Sequence, residues 1–347
     1  MVKVGIIANP ISARDIRRVI SRAGNLPIND RANIVLRILA GLGVTGVTQV
    51  LMMPENGGIR CHLMRSLERE KRIGQHRFLE LSYLDMPVTG TAKDSARAAT
   101  AMRDADAAII VVLGGDGTNR VVVQNSGAVP VSGVSTGTNN AFPELREPTI
   151  TGLAVGLAAT GQVPASCAFT TNKWLEVMVN GRREIALVDV AVVEDRTIGA
   201  RALWRIEALR DLFVTFGLPQ AIGMSAIAGL LFPLDRSAPL GRHIRMAPPG
   251  DASAVIDVPI APGLIEPVGI GGVADMRPGE TFRPSILAGT LALDGERELT
   301  FGPSDDVAIR LVPDAFHTVD VPACMAHAAE MGLFIRRKDR MGGKEKP

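Results

Sequence analysis

Between Ala107 and Leu113 runs an unbroken apolar segment, Ala-Ala-Ile-Ile-Val-Val-Leu, and it stops at Gly114-Gly115-Asp116-Gly117. No other stretch restricts the fold so tightly. β-Branched residues without polar alternation predict a strand buried on both faces, which belongs in a parallel sheet with helices above and below. Three glycines in four positions remove the Cβ atoms that would hold another backbone, or a phosphate, at a distance. Thr118 is the expected N-cap, and Arg120-Val121-Val122-Val123 the start of the next helix. Strand, glycine turn and helix start gather free amides and the positive end of a helix dipole into an anion site. The functional side chain in the turn is the Asp116 carboxylate. Beside an anion it needs a metal ion or a proton, which marks it as a chemical group. The same residues also read as a plain tight turn after a strand.

The rest of the N-terminal half fits that strand. Val2 to Ala8 predicts a first strand, Asn9-Pro10-Ile11-Ser12 its turn, and Arg14 to Ile20 a helix start. Helical spacing over 30–40, a strand over 47–53, a charged helix over 57–72, a strand over 77–84 and an Ala-rich helix over 91–103 follow. Such alternation predicts a parallel α/β sheet, with ligands at the carboxyl ends of the strands, where Asn9 and Asp116 both fall. A short strand over 128–131 leads into a second loop of glycines and hydroxyls, Ser132 to Pro143, and a small-residue helix spans 149–160.

After Gly161 the composition changes. Strand candidates at 169–179, 183–193, 254–258, 264–270, 285–293 and 307–312 stand among Gly and Pro turns, which predicts a mostly β second unit. A helical insertion is expected over 200–231. Its first half carries Trp204, Ile206, Leu209, Leu212 and Phe213 at helical spacing, and its second half is apolar nearly all round. A last helix over 323–332 and a charged tail close the chain. The expected division is 1–148, 149–315 and 316–347, the last part returning to the first unit.

Composition removes several classes. Lys plus Arg number 38 and Asp plus Glu 36, with one Tyr and two Trp, so neither the basic face nor the stacking aromatics of a nucleic-acid binder are expected. Cys61, Cys167 and Cys324 are far apart, which predicts a reducing, cytoplasmic setting and no structural zinc. The chain enters a strand at once, which predicts no secretory leader. The apolar stretch over 221–234 is too short to span a bilayer, so no membrane span is expected.

Two motifs are decoys. Gly41-Leu42-Gly43-Val44-Thr45-Gly46 matches G-x-G-x-x-G but follows a helix and precedes a strand, the reverse of the dinucleotide fingerprint. Gly133-Val134-Ser135-Thr136-Gly137 matches G-x-S-x-G, but Thr138 to Pro143 is a poor helix start where a nucleophile elbow requires a helix. No Walker A lysine loop is present.

Gly-Gly-Asp-Gly-Thr after a buried strand resembles the signature of the NAD kinase and diacylglycerol kinase superfamily. Asn9-Pro10-Ile11-Ser12 is similar to the Asn-Pro-x-Ser phosphate segment of its lipid kinases, and equally reads as an Asx turn. Gly137, Thr138, Asn140 and Phe142 match their Gly-Thr-x-Asn-Asp-Phe loop, with Ala141 replacing the acidic residue. Asp294-Gly295-Glu296 reads as a hairpin turn and also resembles their acidic motif. The runs Gly-Gly-Asp-Gly-Thr-Asn-Arg-Val and Ser-Thr-Gly-Thr-Asn-Asn-Ala-Phe-Pro are most similar to the acetoin catabolism protein X subgroup.

The resemblance implies a Rossmann-like nucleotide domain, a sandwich-like β domain and a site between them. It implies phosphoryl transfer from ATP, with Mg²⁺, to a hydroxyl. Asn9, Pro10, Ser12, Gly114, Gly115, Gly117, Thr118, Asn119, Ser135, Thr136, Gly137, Thr138, Asn139 and Asn140 would hold nucleotide. Asp116 would act as base or metal-linked carboxylate, and Glu296 would help deprotonate the acceptor. NAD, through its 2′-hydroxyl, is the first acceptor implied. A lipid or small diol is the alternative, and Ala141 motivates a third reading, a non-catalytic nucleotide sensor. Homo-oligomers, dimer or tetramer, are expected by the same resemblance.

Overall fold

The structure is a computed structural model, and it describes residues 1–10, 26–72, 79–137, 140–194 and 206–335. The first part builds a parallel sheet. Strands β1 (Lys3–Ala8), β2 (Gln49–Met52), β3 (Glu80–Tyr83), β4 (Ile109–Gly114) and β5 (Val131–Ser135) alternate with helices α1 (Ile28–Gly43), α2 (Ile59–Arg72), α3 (Ala92–Asp104) and α4 (Asp116–Ser126). Their order is β3-β2-β1-β4-β5, all parallel. β4 is buried at every position, as its unbroken apolar sequence requires. α3 and α4 cover one face through Ala98, Ala99, Met102, Val122 and Val123.

The opposite face carries α1, α5 (Pro148–Ala159) and, beyond the short α6 (Ala165–Ala168), the C-terminal helix packed against the same core. α5 is rich in small residues because it lies on α1 backbone to backbone. A Cβ on Gly152 would stand 2.3 Å from the Ile38 carbonyl oxygen.

The remaining strands are β6 (Phe169–Val179), β7 (Arg182–Ala186), β8 (Asp189–Val193), β9 (Leu209–Val214), β10 (Gly241–Met246), β11 (Ala254–Ala261), β12 (Leu264–Met276), β13 (Thr281–Phe282), β14 (Gly289–Leu293), β15 (Glu296–Phe301) and β16 (Val307–Val319). Helix α7 (Ser225–Leu231) interrupts them, and α8 (Val321–Glu330) follows. β16 joins β5 in parallel at Thr318 and Val131, and β6 and β7 continue the first sheet antiparallel. The second sheet is antiparallel in the order β11-β12-β10-β9-β8-β14-β15. Leu175, Val177, Ile309 and Leu311 of the first sheet meet Val190, Val192, Phe213, Leu291 and Leu293 of the second in one sandwich core. The fold is therefore α/β with a parallel-strand sheet and a second antiparallel sheet.

Three expectations need correction. Helix α4 starts at Asp116 with Gly115 as its cap, so Thr118 lies in the first turn rather than capping it. Of the expected helical insertion, only Ser225–Leu231 is α-helix among the described residues, with a single 3-10 turn at Ile206–Ala208. Leu209–Val214 is a strand in the middle of the second sheet, between β8 and β10. Five of its six residues are buried, so the strand is covered on both faces and the helical spacing of its apolar residues there is a coincidence. Trp204 lies outside the described residues. Finally, 183–193 is two strands that break at Leu187-Val188, where backbone amides turn to a buried carboxylate.

Candidate functional site

β1 and β4 are neighbours, so their carboxyl ends deliver Asn9 and the glycine turn to one place. The Asn9 amide N–H donates to the Leu113 carbonyl at 3.2 Å. Its side-chain Nδ2 donates to Thr118 Oγ1 at 3.1 Å. Beneath this turn lies Arg31 of α1, 1% exposed, whose guanidinium donates to the Asn9 carbonyl. Pro10 packs toward the next loop, where a Cβ on Gly57 would meet it at 2.4 Å. Ser12 lies outside the described residues.

Each glycine of the turn makes room for a specific neighbour. A Cβ on Gly114 would stand 2.6 Å from Thr118 Cβ, one on Gly115 2.8 Å from Asn140 Oδ1, and one on Gly117 2.9 Å from Glu296 Oε1. The first amides of α4 have no acceptor within the helix, as at any helix start. Asn119 is fully buried and donates to the Gly115 carbonyl at 2.9 Å, so it braces the turn from inside.

Asp116 ties the two glycine loops together. Its Oδ2 accepts from the Ala141 amide at 3.0 Å and its Oδ1 from the Phe142 amide at 2.8 Å. Two N–H donors, one on each oxygen, fix the orientation of this carboxylate. Ser135, at the end of β5, donates to the Gly137 carbonyl at 3.1 Å and accepts from Asn140 Nδ2 at 2.8 Å. Its hydroxyl thus closes the second loop, and among the described residues no helix follows it before α5. Thr136 is buried beside it. Thr138 and Asn139 lie outside the described residues.

Glu296 arrives from the second sheet. Asp294 and Gly295, at φ 50° and 78°, form the two-residue turn between β14 and β15, with Leu293 paired to Glu296. Two successive positive φ values are what such a hairpin needs. The hairpin reading and the proximity to the glycine turn therefore hold together. The Asp294 side chain is buried and accepts from the amides of Val188 at 2.8 Å, Leu187 at 3.1 Å and Asp189 at 3.3 Å. Burial pushes its carboxyl up, against the pull of Arg120 and these amides. Arg120 of α4 stands 3.5 Å from Asp294 and 3.9 Å from Glu296, linking the first sheet's helix to the second sheet's hairpin.

Arg236 gave no sequence signal, being a single arginine in a turn. It donates to the carbonyls of both Ala141 and Phe142, the latter at 2.9 Å, and lies 4.5 Å from the Phe216 ring centroid. Burial pushes its guanidinium down, while Glu144 and Asp116 nearby support its charge. Lys173 of β6 donates to the Ala238 and Leu240 carbonyls and so clasps the same segment.

Residues 4–162 match the ATP-NAD kinase N-terminal domain, and residues 173–314 the acetoin catabolism protein X C-terminal domain. Among curated proteins, acetoin catabolism protein X of Cupriavidus necator is 52% identical over 336 residues, 95% of this chain and 93% of that protein. Among solved structures, the yeast NADH kinase complexed with NADH is 11% identical, with a TM-score of 0.46 over 99% of this chain and 90% of that one. Half the residues are thus shared across nearly the whole length of both chains with the Cupriavidus protein, and the chain belongs to the acetoin catabolism protein X family, on an ATP-NAD kinase N-terminal domain.

Proposed function

We propose that this chain is a kinase that transfers the terminal phosphoryl group of ATP to a hydroxyl. One observation carries the reading: a second carboxylate, Glu296, is brought from the other sheet against Gly117, the residue that follows Asp116 in the chain. A mere turn has no need of it. The start of α4 suits a polyphosphate, because its first amides have no acceptor within the helix and the positive end of its dipole lies there. The donor set fits Mg²⁺. Among the described residues no cluster of three or more His, Cys, Asp or Glu could hold a metal, so a cation would rest on Asp116 and the phosphates, as Mg²⁺ commonly does. When bound, the metal spreads the charge that develops on the transferred group.

Roles divide by environment. Asp116, held by two amides, keeps a fixed charge toward the phosphates. The Glu296 side chain, 45% exposed, takes the proton from the acceptor hydroxyl. Arg120 steadies Glu296 from the α4 side. Asn9, Thr118, Thr136, Gly137 and Asn140 hold the nucleotide, with Pro10 shaping the first loop, while Asn119 and Ser135 keep the loops in shape. Ser12, Thr138 and Asn139 complete the set by sequence alone.

NAD, through its 2′-hydroxyl, is the first acceptor, since the N-terminal domain is of the ATP-NAD kinase type. The name of the Cupriavidus relative points instead toward acetoin catabolism, where a small hydroxyl compound is the alternative acceptor. Transfer of label from γ-labelled ATP to a panel of NAD, NADH, diacylglycerol and acetoin-derived diols separates these. Label on NAD supports the first, and label on a diol or lipid only replaces it. Tight nucleotide binding with no transfer would point to a sensor.

A further inference from the structure

The hydrogen bonds around Ala141 and Phe142 form a line through one peptide unit. The carbonyl of Ala141 and the amide of Phe142 belong to the same peptide group. The carbonyl accepts from Arg236 and the amide donates to Asp116 Oδ1 at 2.8 Å. A cation thus stands at one end of a peptide dipole and a carboxylate at the other. Hydrogen bonds in such a chain polarise one another, most strongly where solvent is scarce. Arg236 also holds the Phe142 carbonyl, whose peptide leads into Pro143 and has no N–H of its own.

Arg236 is itself held in place. Its guanidinium lies 4.5 Å from the Phe216 ring centroid and 5.4 Å from that of Phe142. Lys173 fixes the carbonyls of Ala238 and Leu240 a few residues on, and Asp235 is bound to the Ser237 amide at 2.8 Å. The segment that presents Arg236 therefore has little freedom, and it belongs to the stretch leading into β10 of the second sheet.

We propose that Arg236 is a positioning residue, which orients the Asp116 carboxylate and reinforces its charge through the Ala141–Phe142 peptide, so that the site is complete only when the second sheet is docked. As a role in catalysis this rests on the kinase reading; as a statement about the peptide it does not.

The test uses full-length protein carrying ¹³C-carbonyl alanine and ¹⁵N-phenylalanine. Three Ala–Phe peptides exist, at 141–142, 168–169 and 315–316, so three doubly labelled signals arise. One of them is expected to move its amide proton upfield in Arg236→Gln, and the same one in Asp116→Asn, with no further movement in the double variant. In parallel, Arg236→Gln should keep MgATP affinity within about twofold and lose about 10–100-fold in turnover, the usual effect of removing a residue that orients a reactive group. Arg236→Lys, which keeps the charge and one donor direction, should restore most of it.

A signal that moves in Asp116→Asn and stays still in Arg236→Gln overturns the proposal. So does a turnover loss that appears wholly as weakened MgATP binding, or one that Lys fails to improve over Gln. Should the Gln variant not fold, the Lys variant gives the same comparison. Failure of both to fold would make Arg236 a fold determinant and also overturn the role. A wild-type protein that binds no MgATP overturns the kinase reading alone, since the peptide signal needs no turnover.

Discussion

Gly117, in the first turn of α4, faces Glu296 of the second sheet. A methyl group there would meet the Glu296 carboxylate at 2.9 Å, and that carboxylate can swing away. Gly117→Ala should therefore leave the melting temperature near wild type, since alanine is also the better helix former. It should cost turnover by displacing Glu296, and Glu296→Gln should cost about 10²–10⁴-fold, as loss of a general base does. If Glu296→Gln turns over normally, Glu296 is only the first residue of a strand. Asp116 and Glu296 were both legible in the sequence, because a lone carboxylate among glycines and an Asp-Gly-Glu turn are local patterns. The Arg120–Asp294 pair and Arg236 were not. Their partners lie more than 90 positions away in the chain, and a single arginine carries no pattern.

At the scale of elements, the alternation of strands and helices up to β5 was readable because each strand there is uniformly apolar or flanked by clear turns. β9 was not. Leu209, Leu212 and Phe213 mimic helical spacing, and the buried Asp211 among them breaks the apolar run that would have marked a strand. β10 was missed because Arg242, His243 and Arg245 make it look like surface loop. The two strands explain each other. Asp211 Oδ1 is 2.8 Å from His243 Nε2, and Oδ2 accepts from the Ser285 amide at 2.8 Å and hydroxyl at 2.7 Å. Burial would raise the Asp211 carboxyl, but the bonds from His243 and Ser285 outweigh it and hold it below its usual value. A carboxyl lowered on folding contributes stability at neutral pH that is lost as the solution is acidified below about pH 4. Asp211→Asn should be less stable at pH 7 by about 1–3 kcal/mol, from the unsatisfied partners, and should flatten the acid limb of stability. Chemical denaturation from pH 3 to 7 reads both; equal curves for variant and wild type would show that the cluster contributes nothing.

Across the whole molecule, one sheet runs from the parallel half into the sandwich, and three cationic side chains tie the second sheet's segments to it. Arg120 reaches Asp294, Arg236 reaches the loop after β5, and Lys173 reaches Ala238 and Leu240. The change of composition after Gly161 announced a second architecture, but not that β16 would return to β5. That pairing depends on a contact 187 residues apart, between Val131 and Thr318. Burial brings the Lys173 ammonium down to about 8. With a free value near 10.4, the unfolded chain then binds more protons than the folded one between about pH 8 and 10.4, so this group makes stability rise with pH over that window. Lys173→Met should remove that rise, as measured by urea midpoints across the window; an unchanged slope would show that Lys173 is charged and solvated in the fold.

Asp116 is the centre of the proposed chemistry. Because two amides await its two oxygens, Asn cannot serve both without facing a donor with a donor, so Asp116→Asn should cost about 1–3 kcal/mol of stability while still folding. The direct measurement is the transfer of γ-labelled phosphate from MgATP to a hydroxyl acceptor, by wild type and by Asp116→Asn side by side. We predict Mg²⁺-dependent transfer by the wild type, and a variant that is folded and holds nucleotide but transfers about 10²–10³-fold more slowly, as loss of one electrostatic stabiliser does. An Asp116→Asn protein that transfers as fast as wild type would contradict the account.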